Sequence, residues 1–561
     1  MTTTAAAALQ DLGLEFRLLN QGLPLRLGAM EISDGAGEKL SITRADFLLS
    51  GFALQRLDGS WLESANWFAV IRPGEGVVRA RVEGVPVGSY QAVRWVIGLD
   101  EATDHADPNA YPPDHPLNAQ VNGLHWGWQS GYVFMALEGH RGQKGGFSYH
   151  LAGAENRMGL ELPVKLNLPD SGTLQVDFDV AAVFGKLELA KVGDSTHSRD
   201  QDPRAKTVRE QVVKAFKIGG MKPELYQNVL KLRTGDAKPK VGTPYPLPVS
   251  QRFPQVLLSA TNEPTVEGVA LGQRLFQDGR LSKNDQQSCA TCHDRSHAFT
   301  DHGRRFSVGV NGEIGTRNAM PLFNLLWQKE FFWDGRAASL HEQALIPIED
   351  PHEMAETLPN VMVKLGKDAK YPAQFAAAFG SQEITPERLG KALEQFLSTL
   401  ISQDSKFDRA LRKEEKLTAS EQRGLQLFLM EYDPPRQLFG ADCFHCHGGN
   451  LFSNQGFANN GLDAVPLSPG RAAVTKLATD EGKFRVPSLR NVALTAPYMH
   501  DGRFATLEEV IAHYDHGVKR SATLDPNLAK HPEDGLKLSA EDQRALRDFL
   551  NTLTDEAFAK P

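Results

Sequence analysis

All four cysteines of the 561-residue chain lie in two pentapeptides of one pattern, CATCH at 289–293 and CFHCH at 443–447. The pattern C-x-x-C-H is the attachment signature of c-type haem, in which two thioethers hold the porphyrin and the adjacent histidine binds iron. A redox dithiol or a zinc site also uses C-x-x-C, but neither requires the following histidine, which both copies have. The sequence therefore predicts two covalent haem c groups. The attachment residues are Cys289, Cys292, Cys443 and Cys446, and the proximal ligands are His293 and His447.

A second unusual group is the stretch VNGLHWGWQSGY at 121–132, which holds Trp126 and Trp128, two of only seven tryptophans in the chain. Aromatic residues dominate hydrophobic cores, so packing is the simplest explanation on pattern alone. Whether the pair does more than pack depends on what the rest of the chain provides.

Composition excludes several classes of protein. The net charge of -8 argues against a nucleic-acid partner, which would require a basic surface. No apolar run approaches the roughly 20 residues that span a bilayer, so no membrane span is expected. The N-terminus, MTTTAAAALQDLGLEF, lacks the basic region and apolar core of a signal peptide. Because haem c is attached outside the cytoplasm, we expect a periplasmic protein whose leader has been removed.

The elements that must position these residues change in kind near residue 235. Before it, short segments alternate apolar and polar residues, as in LPVKLNL (162–168) and LQVDFDV (174–180), with PDSG between them as a predicted hairpin turn. Several such strands with Gly and Pro turns indicate a mainly-β, sandwich-like domain over 1–235. Residues 236–256 are rich in Pro, Lys and Gly without a hydrophobic period, which is typical of a linker.

After the linker the patterns are helical and occur twice. A helical stretch, VEGVALGQRLF or TASEQRGLQLF, precedes each haem motif, with Thr418 or Ser420 as the expected N-cap of the second. An amphipathic helix, at 384–402 or 539–553, closes each half. The chain is therefore predicted to be multidomain, with the β domain followed by two all-α cytochrome c-type domains at 257–405 and 406–561.

The C-terminal half resembles the bacterial di-haem cytochrome c peroxidases, a family that includes the MauG-type enzymes. The resemblance rests on LGQRLFQDGRLSKNDQQSCATCHD, FFWDGRAASLHEQALIPIEDPHEM and VPSLRNVALTAPYMHDGRFATLEEV. It implies that Trp333 lies between the haems and relays electrons. It also implies that Glu353 moves a proton between the peroxide oxygens and that Pro347 keeps the first haem open.

The same resemblance implies an inter-domain calcium site formed by the Asn318 side chain and the backbone carbonyls of Thr495 and Pro497, since calcium prefers oxygen ligands. At Tyr514, ordinary peroxidases have the methionine that binds the second haem, whereas MauG-type members have tyrosine. A phenolate stabilises oxidised iron better than a thioether does. Many ordinary peroxidases also use a switchable distal histidine on the first haem, which RRFSVGVNGEIG lacks. Both departures point from peroxide detoxification toward protein oxidation.

The N-terminal half is similar to the copper-binding MbnP-type proteins. The similarity rests on WVIGLDEATDHADP, HPLNAQVNGLHWGWQSGYVFMALEG and FSYHLAG, although the four disulfide cysteines of that family are absent. In that family a W-x-W tryptophan is oxidised to kynurenine near copper that histidines bind. The similarity therefore implies kynurenine formation at Trp126 or Trp128.

Copper ligands follow from the same comparison of motifs. His105 and His150 match the histidines of the family best, and imidazole suits copper in either oxidation state. His125, which adjoins the first tryptophan, and His115 are the candidates for a third ligand.

Together these features predict an oxidase that uses hydrogen peroxide to oxidise a tryptophan of its own N-terminal domain and so matures a copper site. One alternative is a cytochrome c peroxidase that takes electrons from a cytochrome or small copper protein. Another is a non-enzymatic periplasmic copper-binding or storage protein. The sequence leaves open which tryptophan is modified and whether oxidation occurs within one chain or between chains.

Overall fold

The structure is a computed structural model. The residues it describes are 9–112, 115–118, 122–125, 131–142, 145–168, 172–196, 202–222, 241–250, 252–254, 262–301 and 303–560. Trp126 and Trp128 lie outside these residues, as do parts of the predicted linker. The chain divides into two compact units, of which the first comprises Met1–Arg233 with Arg520–Pro532 and the second Thr234–Lys519 with Glu533–Pro561.

The first unit is built from two sheets. Its strands are β1 (Leu9–Asn20), β2 (Leu23–Pro24), β3 (Ile32–Ser33), β4 (Lys39–Arg56), β5 (Trp61–Glu63), β6 (Phe68–Ile71), β7 (Arg79–Pro86), β8 (Gly88–Ile97), β9 (Val133–Arg141), β10 (Gly145–Ala152), β11 (Met158–Leu168), β12 (Gly172–Asp179), β13 (Ser195–Thr196) and β14 (Phe216–Lys222). The smaller sheet has the order β14–β12–β1–β2, with β7 also on β1. The larger has the order β11–β8–β4–β9–β10–β13, with β3, β5 and β6 on β4.

Apolar side chains from both sheets meet in one core, as in a sandwich. Phe16 and Phe178 of the smaller sheet pack edge-on against Phe47 of the larger sheet, with ring centroids 5.5 and 6.2 Å away. Phe216 stacks on Phe178 at 4.4 Å. These contacts confirm the predicted mainly-β sandwich.

The predicted hairpin through PDSG is wrong. β11 pairs with β8 in the larger sheet, whereas β12 pairs with β1 and β14 in the smaller one. The apolar residues of both strands belong to the same core. Alternation determines which face of a strand is buried but does not determine its partner strand, so two alternating segments can face one core from opposite sheets.

Short helices and a distant segment complete the first unit. The helices are Glu101–Asp104, Val180–Phe184, Leu189–Val192 and Pro203–Lys214, with 3-10 turns at Pro73–Glu75, Pro108–Ala110 and Ala154–Asn156. The distant segment is 520–532, whose short helix Pro526–Ala529 packs against β10 and β9. The structure thus differs from the prediction that 406–561 forms one continuous domain.

The second unit is helical. Its α-helices are Val266–Phe276, Cys289–Cys292, Leu340–Glu349, Leu358–Gly366, Lys370–Phe379, Pro386–Leu397, Lys406–Leu411, Ala419–Leu429, Phe444–His447, Ala472–Thr475, Leu507–Ala512 and Ala540–Asn551, and a π-helical turn spans His513–Gly517. Two-residue strands pair as Tyr432–Asp433 with Leu438–Phe439 and as Phe457–Ala458 with Phe484–Arg485.

One helix pair occurs twice in this unit, as the sequence predicts. The helix before each haem motif packs against the closing helix of the same half. A glycine lies at each crossing, because a Cβ at Gly272 would overlap the Ala392 carbonyl and one at Gly424 would overlap the Ala545 carbonyl. Thr418 caps the second of these helices. Within the described part of the chain, every helix is too short or too polar to cross a membrane.

Candidate haem centres and copper site

The first haem motif begins with a short helix, Cys289–Cys292, and His293 follows it directly. The His293 imidazole is half-buried and its Nδ1 donates to the Phe299 carbonyl at 2.7 Å. Burial lowers the pKa of His293. The ring is therefore neutral at neutral pH, and with Nδ1 engaged its Nε2 is the nitrogen available to iron.

The second motif repeats this arrangement. His447 ends the helix Phe444–His447, and its Nδ1 donates to the Phe452 carbonyl at 3.2 Å. Burial lowers the pKa of His447 to about 4. Phe299 and Phe452 have φ angles of 60° and 50°, in the left-handed region that turns the backbone back toward the histidine. Both motifs thus orient their imidazole in the same way, by a hydrogen bond from Nδ1 to the carbonyl of a phenylalanine with positive φ.

Glu353 lies close to the first motif. Burial raises the pKa of Glu353, and the neighbouring Asp350 carboxylate raises it further. Burial also raises the pKa of Cys289 to about 12, and the Glu353 carboxylate contributes to this shift and to the raised pKa of Cys292. A half-buried carboxyl group with a raised pKa beside a haem attachment site is suited to exchanging protons with peroxide.

Pro347 and Glu353 are held in one turn. Pro347 is in the last turn of the helix Leu340–Glu349 and its carbonyl accepts from the Met354 amide at 3.2 Å, while the Glu353 amide donates to the Asp350 carbonyl at 3.0 Å. The structure therefore brings together the two residues predicted for the distal side of the first haem. Proline offers no side-chain ligand to a metal.

Trp333 is buried at the meeting point of the two haem halves. Its Nε1 donates to the Asn318 carbonyl at 2.8 Å, and its own carbonyl accepts from the Arg485 amide at 2.8 Å. Asn318 belongs to the first half and Arg485 to the second. The indole thus donates within the first half and the Trp333 backbone bonds the second half, so the residue joins both halves, as a residue between two haems would require.

Tyr514 is half-buried in the π-helical turn His513–Gly517. Its hydroxyl oxygen accepts from the Asn460 amide at 3.4 Å, and the same amide group lies 3.3 Å from the Met499 sulfur. His513 donates from Nε2 to the Asn460 carbonyl at 3.0 Å. Asn460 therefore holds the phenol and its neighbour, a role that the sequence does not indicate.

The residues of the second unit fit bound haem. Arg485 is only 3% exposed, and its Nε and Nη1 atoms have no hydrogen-bond acceptor among the described residues. Burial lowers the pKa of Arg485 to about 10. A buried guanidinium group is costly without an anion, and a haem propionate is an anion of suitable chemistry. The two oriented imidazoles and four attachment cysteines complete this fit.

The predicted calcium residues lie near one another. The Asn318 amide donates to the His500 carbonyl at 3.0 Å, which brings Asn318 to the loop that carries Thr495 and Pro497, and its side chain donates to the carbonyls of 304–305. In the described ranges, no three His, Cys, Asp or Glu side chains form a metal site. The calcium prediction depends instead on amide and carbonyl oxygens.

In the first unit, the stretch before the W-x-W pair folds around Tyr132. His125 forms a β-bridge with Tyr132, their rings are 4.7 Å apart, and burial lowers the pKa of His125 to about 4. The Tyr132 amide donates to the Asp104 carboxylate at 2.7 Å. Asp104 directly precedes His105, which is exposed. His115 stacks on Tyr111 at 4.6 Å.

His150 lies in a different environment, a buried ionic network. It is 2% exposed on β10, and its Nε2 lies 2.8 Å from the Glu138 carboxylate on β9. Arg44 donates to Glu138 at 3.0 Å and to the Gly123 carbonyl at 3.0 Å. The network therefore extends to Gly123, which lies two residues before His125 in the sequence. Glu138 and Arg44 were not predicted, because they lie on separate strands with no motif between them.

Comparisons with known proteins match both halves of the chain. Residues 266–416 match the family model described as di-haem cytochrome c peroxidase, and residues 9–198 match the MbnP model. The methylamine utilization protein MauG of Methylorubrum extorquens is 36% identical over 301 residues, covering 53% of this chain and 81% of that protein. Cytochrome c peroxidase Ccp of Escherichia coli is 39% identical over 252 residues, covering 43% of this chain and 52% of that protein. A crystal structure of a MauG-like protein associated with microbial copper homeostasis aligns with a TM-score of 0.52 and 34% identity, covering 56% of this chain and 97% of that one.

Proposed function

The chain belongs, through its C-terminal half, to the di-haem cytochrome c peroxidase family that includes MauG, and from this premise we propose that it oxidises its own N-terminal domain. The substrate in this proposal is Trp126 or Trp128, the product is kynurenine, and the oxidant is hydrogen peroxide. The observation that carries the proposal is that one polypeptide joins an MbnP-type domain to a di-haem oxidoreductase. Haem c attachment implies that this takes place in the periplasm.

Haem, when bound at the two motifs, supplies peroxide activation and storage of oxidising equivalents. Glu353 would accept a proton from one oxygen of the peroxide and donate it to the other oxygen, so that the second oxygen can leave as water. The raised pKa of Glu353 suits this double role, because it makes the carboxylate a stronger base for the first transfer. Pro347 keeps a protein ligand away from the position that peroxide needs.

Trp333 and Tyr514 are assigned to the electron path. The Trp333 indole is buried and donates to the Asn318 carbonyl, while the Trp333 backbone bonds the second half, so the side chain loses an electron without a large change in position. Tyr514, held by Asn460, is assigned as the second distal ligand, where a phenolate favours oxidised iron. A calcium ion held by Asn318, Thr495 and Pro497 would brace the loop between the halves.

The overall reaction balances with two molecules of peroxide for each tryptophan. Two peroxides insert two oxygen atoms across the C2–C3 bond of the indole, which breaks, and release two waters. Hydrolysis of the resulting formyl group releases formate and leaves kynurenine. Relative to tryptophan, the product has one carbon fewer and one oxygen more.

Copper binding belongs to the same proposal. His105 and His150 remain the assigned ligands, with His125 or His115 as a third. The neutral His125 ring suits a metal, since burial has already disfavoured its protonated form. Glu138 can orient His150 in the way that carboxylates orient metal-binding imidazoles.

Mass spectrometry of the W-x-W peptide, before and after peroxide addition to the di-haem protein, tests the function. We expect one tryptophan to convert to kynurenine, and a Trp333→Phe variant to slow this conversion while both haems remain attached. The similarity to Escherichia coli Ccp favours the rival function, peroxide reduction with an electron-donor protein. That rival prevails if the peptide stays intact while peroxide is consumed with a reduced cytochrome as donor.

A further inference from the structure

Segment 520–532 is folded by its own hydrogen bonds. The helix Pro526–Ala529 begins at Asp525, whose carboxylate accepts from the Asn527 amide at 2.9 Å. At the other end, the Arg520 guanidinium donates to the carbonyls of Leu528, Ala529 and His531. The segment therefore has one defined shape, which lowers the entropy cost of docking.

The two ends of the segment are pinned close together by contacts outside it. Lys519 donates its amide to the Gly461 carbonyl at 2.7 Å, and the Leu536 amide donates to the Asp515 carbonyl at 2.9 Å. Asp515 directly follows Tyr514 in the π-helical turn. The chain therefore leaves and returns at nearly one place, as in an Ω-loop.

The surface that receives the segment is formed by β9 and β10. His140 donates from Nε2 to the Leu524 carbonyl at 2.6 Å, and the Asn527 side chain donates to the Glu138 carboxylate at 3.4 Å. Gly146 leaves space for the helix, because a Cβ at this position would overlap the Pro526 carbonyl and lie 2.8 Å from the Ala529 Cβ. The contact thus combines two polar bonds, at Leu524 and Asn527, with close packing at Pro526 and Ala529.

We propose that the face of β9 and β10 around His140 and Gly146 is a peptide-docking surface, and that segment 520–532 is its occupant. This contact attaches the N-terminal domain to the rest of the chain independently of the linker at 236–256. Burial supports the assignment, since Leu524, Pro526, Asn527 and Ala529 are all buried although they belong to a loop. The proposal concerns attachment and does not depend on tryptophan oxidation.

The test uses the full di-haem protein with a protease site placed in the linker at 236–256. After cleavage, we expect the N-terminal fragment to co-elute with the haem-containing fragment in gel filtration. Gly146→Leu on the surface and Ala529→Arg on the segment should each abolish co-elution. The two changes lie on opposite sides of the contact, so misfolding of one partner alone cannot explain both results.

Matched controls are available on both sides. Gly159→Leu introduces the same side chain on β11, where a Cβ meets nothing within 4 Å. Ala522→Arg introduces the same charge at an exposed position of the segment. Both control variants should co-elute like the unsubstituted protein. Separation of the fragments without any substitution, or co-elution of both Gly146→Leu and Ala529→Arg, overturns the proposal.

Discussion

Replacing Glu353 with glutamine is the sharpest test of the distal proton path. The change keeps the size of the side chain and removes its ability to exchange a proton. Loss of a positioned general acid–base costs about 10²–10⁴-fold in rate, or about 3–5 kcal/mol in activation free energy. We therefore expect the rate of the peroxide-induced change in the haem absorbance, measured by stopped flow, to fall by that factor.

The same residue should also set a pH dependence. The carboxylate form accepts the first proton, so the rate should fall as pH drops through the raised pKa of Glu353. The Asp350 carboxylate contributes to that shift, so Asp350→Asn should lower the pKa and move the profile to lower pH. A raised folded-state pKa means that this carboxyl group contributes stability at low pH that is lost as pH rises through it. Glu353→Gln should therefore not destabilise the protein at neutral pH.

Glu349→Gln is the matched control, because Glu349 is exposed and ends the same helix. It should leave both the rate and its pH profile unchanged. Haem content and thermal stability are measured for both variants, so that a rate loss cannot be attributed to lost haem. If Glu353→Gln reacts with peroxide at close to the wild-type rate, Glu353 is not the proton carrier.

Three further predictions follow from the same contacts. Tyr514→Phe should alter the low-spin signal in low-temperature EPR, and an unchanged spectrum would contradict the assignment of Tyr514 as a ligand. Asp408→Asn should break the buried bidentate pair with Arg490, whose two bonds are 2.8 and 2.9 Å long. The free energy of unfolding, measured with urea, should fall by about 3–5 kcal/mol. A fall below about 1 kcal/mol, the size of an exposed pair, would contradict this. The double variant His105→Ala/His150→Ala should lose copper in metal analysis and keep both haems, whereas full retention would move the site toward His125.

Local sequence was enough to predict the features that depend on local interactions. The haem motifs, the capping of the helix after Thr418 and the repeated helix pairs all follow from short spacings and the helical period. The roles of Trp333, Glu353 and Tyr514 rest on longer motifs shared with a family. Their surroundings agree with those roles.

Features that depend on distant residues could not be predicted. The pairing of β11 and β12 with different sheets is decided by the fit of whole faces, which alternation does not encode. The network of Arg44, Glu138 and His150 joins three strands, and each residue alone resembles an ordinary polar position. Asn460 lies 54 residues from Tyr514, with no motif that connects them.

The split first unit has a consequence for the order of folding. Its sandwich strands are complete by Lys222, but its last segment follows about 300 residues later, which corresponds to roughly 15–60 s of synthesis at 5–20 residues per second. During that interval the face around His140 and Gly146 has no segment to cover it. The face therefore stays exposed until synthesis reaches 520–532, and docking of this segment is a late, intramolecular step.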